Sequence, residues 1–155
     1  MLIRYVPKGG HIMYQYSLYL VKSDYAQHFY YKIDTVYRFL YEQMMKNPDR
    51  TKDQYKMVLD KANAKDVFLH LNYWVSHDIS LNIDRNQITV SYNQQQVYIE
   101  VNDFDMTILA ESIVDVDKLL FQYLKTFHPH IFAVNYETYE CGWITPLVGK
   151  QIYSL

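Results

Sequence analysis

The sequence contains few of the residues that cross-link a chain or form its tightest turns, with one cysteine, four glycines and four prolines among 155 residues. The single cysteine, Cys141, excludes a disulfide within the chain, so the fold must be stabilised by its apolar core. So few glycines leave little material for phosphate-binding turns, and no P-loop, GxGxxG or GxSxG pattern is present. These absences argue against the common nucleotide-binding enzymes and serine hydrolases.

The sequence also lacks a strong charge of either sign and a long hydrophobic run. Its 15 Lys and Arg residues and 17 Asp and Glu residues give a net charge of −2, which offers no general attraction to phosphates or anionic lipids. We find neither a signal peptide nor an apolar segment long enough to span a membrane. The composition therefore predicts a cytoplasmic protein that contacts neither membranes nor nucleic acid directly.

Aromatic residues are abundant, with 17 tyrosines, 7 phenylalanines and 2 tryptophans. Tyrosine combines a large contact area with a polar tip, so it serves both cores and interfaces. A chain of this length can bury about 68–70% of the surface that its unfolded form exposes, which is enough for one domain without cross-links. The aromatic content is therefore compatible with a well-filled core and with a protein-binding surface.

We predict one domain over residues 13–155 and a loose N-terminal arm over residues 1–12. The arm contains Pro7 and the Gly9-Gly10 pair, and none of its residues requires a packed element. Met13 lies directly before the first strongly patterned stretch. Both Met1 and Met13 are therefore candidates for the translation start.

Strand periodicity changes to helix periodicity within residues 14–31. β-branched and aromatic residues fill positions 13–21, which is typical of a buried strand, and a short helix with Ser23 as its N-cap is predicted to follow. At 100° per residue, one side of that helix carries four residues. They are Tyr25, Ala26, Phe29 and Tyr30. Large rings around a small alanine predict an aromatic surface, because a helix of two turns cannot bury both of its sides unless it is sandwiched.

The remaining periodicities predict further helices and a run of short strands. Helices are expected at residues 34–44, 51–64 and 115–127, and residues 66–75 fit both periodicities, although we favour a helix there. Strands are expected at residues 79–83, 87–92, 96–101, 106–110, 130–136 and 142–147. We therefore predict an α+β fold, a single-domain two-layer sandwich in which a mostly antiparallel sheet packs against helices, with one parallel crossover at the Asp115 helix.

Candidate metal ligands form incomplete sets. His77-Asp78 is typical of the paired ligands of HD-type phosphohydrolases, but the separate histidine and aspartate ligands of such a site are not identifiable. His128 and His130 lie on one side of an extended segment without a clear third ligand, and Pro129 between them favours a turn that ends a helix. We therefore predict no metal site and no cofactor.

Two other functional classes can be weighed on the same residues. Cys141 is a candidate nucleophile, but Glu137 and Glu140 oppose the lowered thiol pKa that reactivity requires. The aromatic strands around Tyr92 and Tyr98 could stack single-stranded bases, but no basic residues are interleaved with them. The residues therefore favour a protein that is not an enzyme, and a small-ligand or nucleic-acid-binding domain with an aromatic sheet is the alternative.

Two blocks of this sequence resemble the family of sporulation inhibitor of replication proteins, SirA. The first block comprises residues 16–22 and 24–30, which include the strand and the short helix described above. The second comprises residues 119–121, 124–125, 132–136 and 142–143, together with Pro146. The resemblance implies a two-layer α+β fold and a non-enzymatic inhibitor of the initiation of DNA replication.

The resemblance also implies a partner and a binding site. In this family, the two aromatic positions of the first helix bind the N-terminal domain of the replication initiator DnaA. Here those positions are Tyr25 and Phe29, which flank Ala26. Lys61 corresponds to a polar contact of the family and is expected on the third helix. The partner-binding residues expected from the resemblance and the helix pattern are Tyr25, Ala26, Phe29, Tyr30 and Lys61.

Overall fold

The computed structural model describes residues 13–45 and 48–144, so the predicted arm at residues 1–12 lies outside the described residues. The strands are β1 (Tyr14–Leu20), β2 (Ser80–Asp84), β3 (Gln87–Tyr92), β4 (Gln95–Val101), β5 (Met106–Ala110), β6 (Ile131–Asn135) and β7 (Glu140–Trp143). The helices are α1 (Ser23–Phe29), α2 (Ile33–Met45), α3 (Pro48–Val58), α4 (Ala64–Trp74), α5 (Ile113–Val116), a π-helical segment (Asp117–Phe121) and α6 (Gln122–Leu124). None of the described helices is long and apolar enough to cross a membrane.

The seven strands form one sheet in the order β2-β3-β4-β5-β1-β6-β7, and every neighbouring pair is antiparallel. Because β1 lies between β5 and β6, those two strands run in the same direction. The connection through α5 and α6 is thus a crossover between parallel strands with β1 inserted between them, as the sequence predicted. The α+β fold with a mostly antiparallel sheet is confirmed.

The two faces of β1 contribute to two separate cores. Tyr16, Leu18 and Leu20 point into the first core, where β3, β4 and β5 pack against α4, the π-helical segment and α6. Tyr19 and Val21 point into the second core, where β6 and β7 pack against α1 and α2. Helices therefore cover both faces of the sheet around β1 and β6, which adds a second helical layer to the predicted sandwich.

Several helix boundaries differ from those predicted, and two of the differences have a visible cause. The predicted helix at residues 51–64 ends at Val58, because Leu59 forms an isolated antiparallel bridge with Val21. The side chain of Asn63 then caps α4. Its Oδ1 accepts hydrogen bonds from the backbone N–H groups of Lys65 at 2.9 Å and Asp66 at 3.3 Å. The helix favoured at residues 66–75 is confirmed as part of α4. At α1, Ser23 is the first helical residue rather than the N-cap, and Lys22 precedes it without a side-chain cap.

The hydroxyl groups of Tyr19 and Tyr136 lie 2.7 Å apart in the second core, so one donates to the other. Burial raises the pKa of both phenols. An unfolded tyrosine ionises near pH 10, whereas these two keep their protons in the folded state. Their contribution to stability is therefore complete below about pH 10 and is lost as the pH rises from that value toward the folded pKa, by about 1.4 kcal/mol per pH unit for each phenol.

We expect Tyr136→Phe to flatten this alkaline loss of stability. The variant should be about 1 kcal/mol less stable at neutral pH, because the hydroxyl of Tyr19 loses its partner. Its further loss between about pH 9 and about pH 11 should be about 1.4 kcal/mol smaller than that of the parent. Urea unfolding at a series of pH values measures both effects. Tyr139→Phe, at a side chain that is 73% exposed, should keep the parent's pH dependence, and the same slope in Tyr136→Phe would contradict the assignment.

Candidate functional site

The short helix α1 lies between β1 and α2, and its sides have different exposure. Ala26 is 0% exposed and Tyr30, directly after the helix, is 4% exposed. Both belong to the second core, whereas Tyr25 and Phe29 are partly exposed at its edge. Neither Ala26 nor Tyr30 reaches the surface of the free protein, and the expectation that they contact a partner stays a prediction. They hold the helix on the sheet, and the predicted aromatic surface is reduced to Tyr25 and Phe29.

Tyr30 fixes the C-terminal end of α1 to the edge strand β7. Its ring is stacked on the indole of Trp143 with centroids 5.4 Å apart and planes 9° apart. The indole Nε1–H donates a hydrogen bond of 2.9 Å to the backbone carbonyl of Tyr30. Trp143 in turn meets the buried ring of Phe132 edge-on at 4.9 Å. The end of the helix is therefore held by one stack and one hydrogen bond to a strand far along the chain.

Tyr25 and Phe29 form a ring pair on the edge of the second core, and we call it the α1 pair. Their centroids are 4.5 Å apart with planes 36° apart, and Tyr25 also contacts Phe39 of α2 at 5.9 Å. Partial burial raises the pKa of the Tyr25 phenol, so this group is neutral at physiological pH. One side of the α1 pair packs against the second core, and its other side is exposed to solvent. Such a pair needs little ordering when a partner binds.

Basic groups lie beside the α1 pair. The ammonium of Lys32 is 5.9 Å from the centroid of the Phe29 ring, and the His28 ring meets the same phenylalanine edge-on at 4.6 Å. A cation at this distance from a ring face is attracted by the π electrons. The ammonium of Lys32 therefore borders one side of the pair, which favours a partner surface with an acidic residue at that edge.

Lys61 lies in the segment between α3 and α4, not on the third helix. It is exposed, and its ammonium is 5.9 Å from the centroid of Phe104. The segment is attached to the start of α1, since the Lys22 N–H donates to the Val58 carbonyl and the Asp60 N–H donates to the Leu20 carbonyl, both at 2.8 Å. The segment that carries Lys61 is therefore attached where β1 joins α1, while the Lys61 side chain packs on Phe104.

The two histidines that follow α6, His128 and His130, are held by hydrogen bonds and burial within the fold. His128 Nδ1 accepts the backbone N–H of His130 at 3.0 Å, so in the neutral ring Nε2 carries the proton and donates to Asp60 at 2.8 Å. His130 is 7% exposed, and burial together with the neighbouring His128 lowers its pKa. Within residues 13–45 and 48–144, no group of three or more His, Cys, Asp or Glu side chains is placed to hold a metal ion.

The structure also shows the surroundings of the Cys141 thiol, considered as a nucleophile, and of the Tyr92 and Tyr98 rings, considered for base stacking. Burial raises the pKa of the Cys141 thiol, with Asp34 adding to the effect, which disfavours the nucleophilic thiolate. Tyr92 and Tyr98 are 37% and 36% exposed on the sheet. Strands β2, β3, β4 and β5 contain no lysine or arginine. These four strands therefore contribute no basic side chain beside the two rings, where stacked single-stranded bases are usually accompanied by positive charge.

Comparison with known proteins gives one family. A family model described as sporulation inhibitor of replication protein SirA matches residues 14–148. The matched region includes every strand and helix of the described residues, from β1 to β7. No curated protein matches the chain significantly.

Proposed function

This chain belongs to the SirA family of sporulation inhibitor of replication proteins, and from that premise we propose that it docks on the N-terminal domain of the initiator DnaA. In this proposal the α1 pair, Tyr25 and Phe29, provides the contact, and Lys61 adds a polar contact at its edge. The protein acts by covering a surface that other initiation proteins use. It needs no chemical step, so inhibition follows the fraction of DnaA that is occupied.

The packing of the α1 pair is the observation that carries the proposal. Interface energy is concentrated in a few large side chains, above all tryptophan, tyrosine and arginine. A side chain that is already packed in the free protein loses less conformational freedom when the partner binds. The ring contact at 4.5 Å and the support from Phe39 meet that condition. Ala26 and Tyr30 support the α1 pair indirectly, because their burial in the second core allows α1 to lie close to the sheet. The two roles can be separated by experiment.

We expect Tyr25→Ala and Phe29→Ala each to weaken binding to the isolated DnaA N-terminal domain by about 2 kcal/mol or more, which is roughly thirtyfold in the dissociation constant. Each substitution removes an aromatic anchor at the centre of the proposed contact. Lys61→Ala removes a solvated charge at its edge and should cost under about 1 kcal/mol. Isothermal titration calorimetry with purified proteins measures all three.

Controls must distinguish a lost contact from a lost fold. Both rings are only partly buried, so their truncation should cost less stability than the loss of a fully buried ring. Each kcal/mol of stability lost should lower the melting temperature by a few degrees. Tyr98→Ala removes a tyrosine that is 36% exposed on the sheet and should bind like the parent. Folded Tyr25→Ala and Phe29→Ala variants with parental affinity would exclude the α1 pair, whereas variants that unfold early would assign both rings to the core.

A further inference from the structure

Three large apolar side chains of α4 are exposed together. Leu69, Tyr73 and Trp74 are 53%, 78% and 52% exposed, and we call them the α4 patch. Leu69 and Tyr73 are one helical turn apart, and the Tyr73 ring meets Trp74 edge-on at 5.2 Å. Single exposed apolar residues are common on proteins, but adjacent ones usually mark an interface. Within the described part of the chain, the outward side of this patch is uncovered.

The α4 patch is carried on a rigid support. Val67 and Leu71 are fully buried on the other side of the helix, in the first core. His70 is hydrogen-bonded to the Tyr123 carbonyl at 2.9 Å, and its ring lies 6.2 Å from that of Trp74. The patch is also independent of the α1 pair, because the first core and the second core lie on opposite faces of the sheet.

The charges around the α4 patch favour a copy of the same surface as its partner. Residues 67–77 contain no Asp, Glu, Lys or Arg, so the centre of the face attracts neither sign. Lys65 and Asp66 lie at its start, and His77 and Asp78 follow its end. The start therefore carries one formal positive and one formal negative charge, and the end carries one formal negative charge. When two such helices meet antiparallel, each basic group of one copy lies near an acidic group of the other.

We propose that the α4 patch is the interface of a two-fold homodimer in which α4 of one copy packs antiparallel on α4 of the other. Leu69 of each copy then lies against Tyr73 of its partner, and Lys65 lies near the partner's Asp78. The exposed parts of the three side chains amount to roughly 400 Å² per copy. A total on the order of 800 Å² is less than stable dimers bury, so the dimer is weak and depends on concentration.

The dimer adds to the proposed function without depending on it. Because α1 lies on the opposite face of the sheet, both α1 pairs remain open in the dimer. Two linked docking surfaces bind a partner that itself carries neighbouring copies more tightly than one surface does. The inference concerns the state of the chain alone, so a test of self-association leaves the DnaA proposal untouched.

Sedimentation velocity over a concentration series from about 1 μM to about 500 μM tests the dimer. The mean mass is expected to rise from that of the 18.7 kDa monomer toward twice that value. Leu69→Glu and Tyr73→Glu should each raise the dissociation constant at least about tenfold, since each puts a charge at the centre of the contact. Met57→Glu, at a side chain that is 77% exposed on α3, is the matched control and should dimerise like the parent.

A charge exchange tests the antiparallel orientation. Lys65→Asp should weaken the dimer, and adding Asp78→Lys to it should restore the parental dissociation constant. Failure of the second change to restore dimerisation would overturn the orientation, and a monomer at every concentration would overturn the interface. Leu69→Glu should bind the DnaA N-terminal domain with the parent's affinity in a one-to-one titration, which keeps the two proposals separate.

Discussion

Ala26→Arg is expected to remove about 5 kcal/mol or more of folding stability, which is enough to unfold many domains of this size. Ala26 is 0% exposed at the point where α1 meets the sheet, so an arginine has no space there without moving the helix. If the guanidinium stayed inside, its charge would be buried without a partner. Circular dichroism melts and urea unfolding measure the loss.

Two matched changes separate the causes. Ala26→Gly removes only a methyl group and adds the helix cost of glycine, so it should cost about 1–2 kcal/mol. Gln27→Arg places the same charge on the next, exposed residue and should melt like the parent. An Ala26→Arg protein with the parent's melting temperature would place this residue at the surface, as the sequence suggested. Otherwise, any loss of DnaA binding in this variant reports unfolding and not a lost contact.

Trp143→Ala is expected to destabilise the protein by about 4–6 kcal/mol. The indole is 5% exposed, stacks on Tyr30 and meets Phe132 edge-on, so its removal leaves a cavity between α1 and the sheet. The Tyr30 carbonyl also loses its donor. Trp143→Phe keeps an aromatic ring for the stack and loses the donor, and it should cost about 1–2 kcal/mol.

Equilibrium urea unfolding of the two Trp143 variants gives the comparison. A loss in Trp143→Phe as large as that in Trp143→Ala would mean that the hydrogen bond, not the stacking on Tyr30, holds the end of α1. No loss in either variant would contradict the attachment of α1 to β7. Tryptophan fluorescence of the unaltered Trp74 can follow the unfolding of both.

The sequence predicted the strands of the meander well and the ends of α3 poorly, for physical reasons. In β3 and β4, Ile88, Val90, Val97 and Ile99 are buried and alternate with more exposed residues, so the strand periodicity of two is directly visible. The end of α3 instead depends on Leu59, which pairs with Val21 across the structure. Helix periodicity over residues 51–64 has no means of indicating a partner so distant in the chain. The last predicted strand begins earlier than expected, at Glu140, and residues 145–147 lie outside the described residues.

For a similar reason, the sequence predicted which residues share one side of α1 but not which of them face the sheet. Two pairs at α1 have the spacing of one helical turn, and they are offset by a single residue. They are Tyr25 with Phe29, and Ala26 with Tyr30 directly after the helix. Helix geometry groups all four on one side and cannot select the pair that faces the sheet. That selection is made by Trp143, which comes late in the chain, stacks on Tyr30 and meets Phe132 edge-on. The DnaA contact itself stays a proposal that the titrations decide.

The position of β1 in the sheet also determines when the protein can begin to work after synthesis. β1 is the first described strand to leave the ribosome, yet it lies between β5 and β6, and β6 is among the last. At about 5–20 residues per second, the ribosome needs on the order of ten seconds between the two. During that time the apolar strand β1 has no β6 to pair with, and the end of α1 has no Trp143 to stack on. The α1 pair is therefore completed only after β6 and Trp143 have been synthesised.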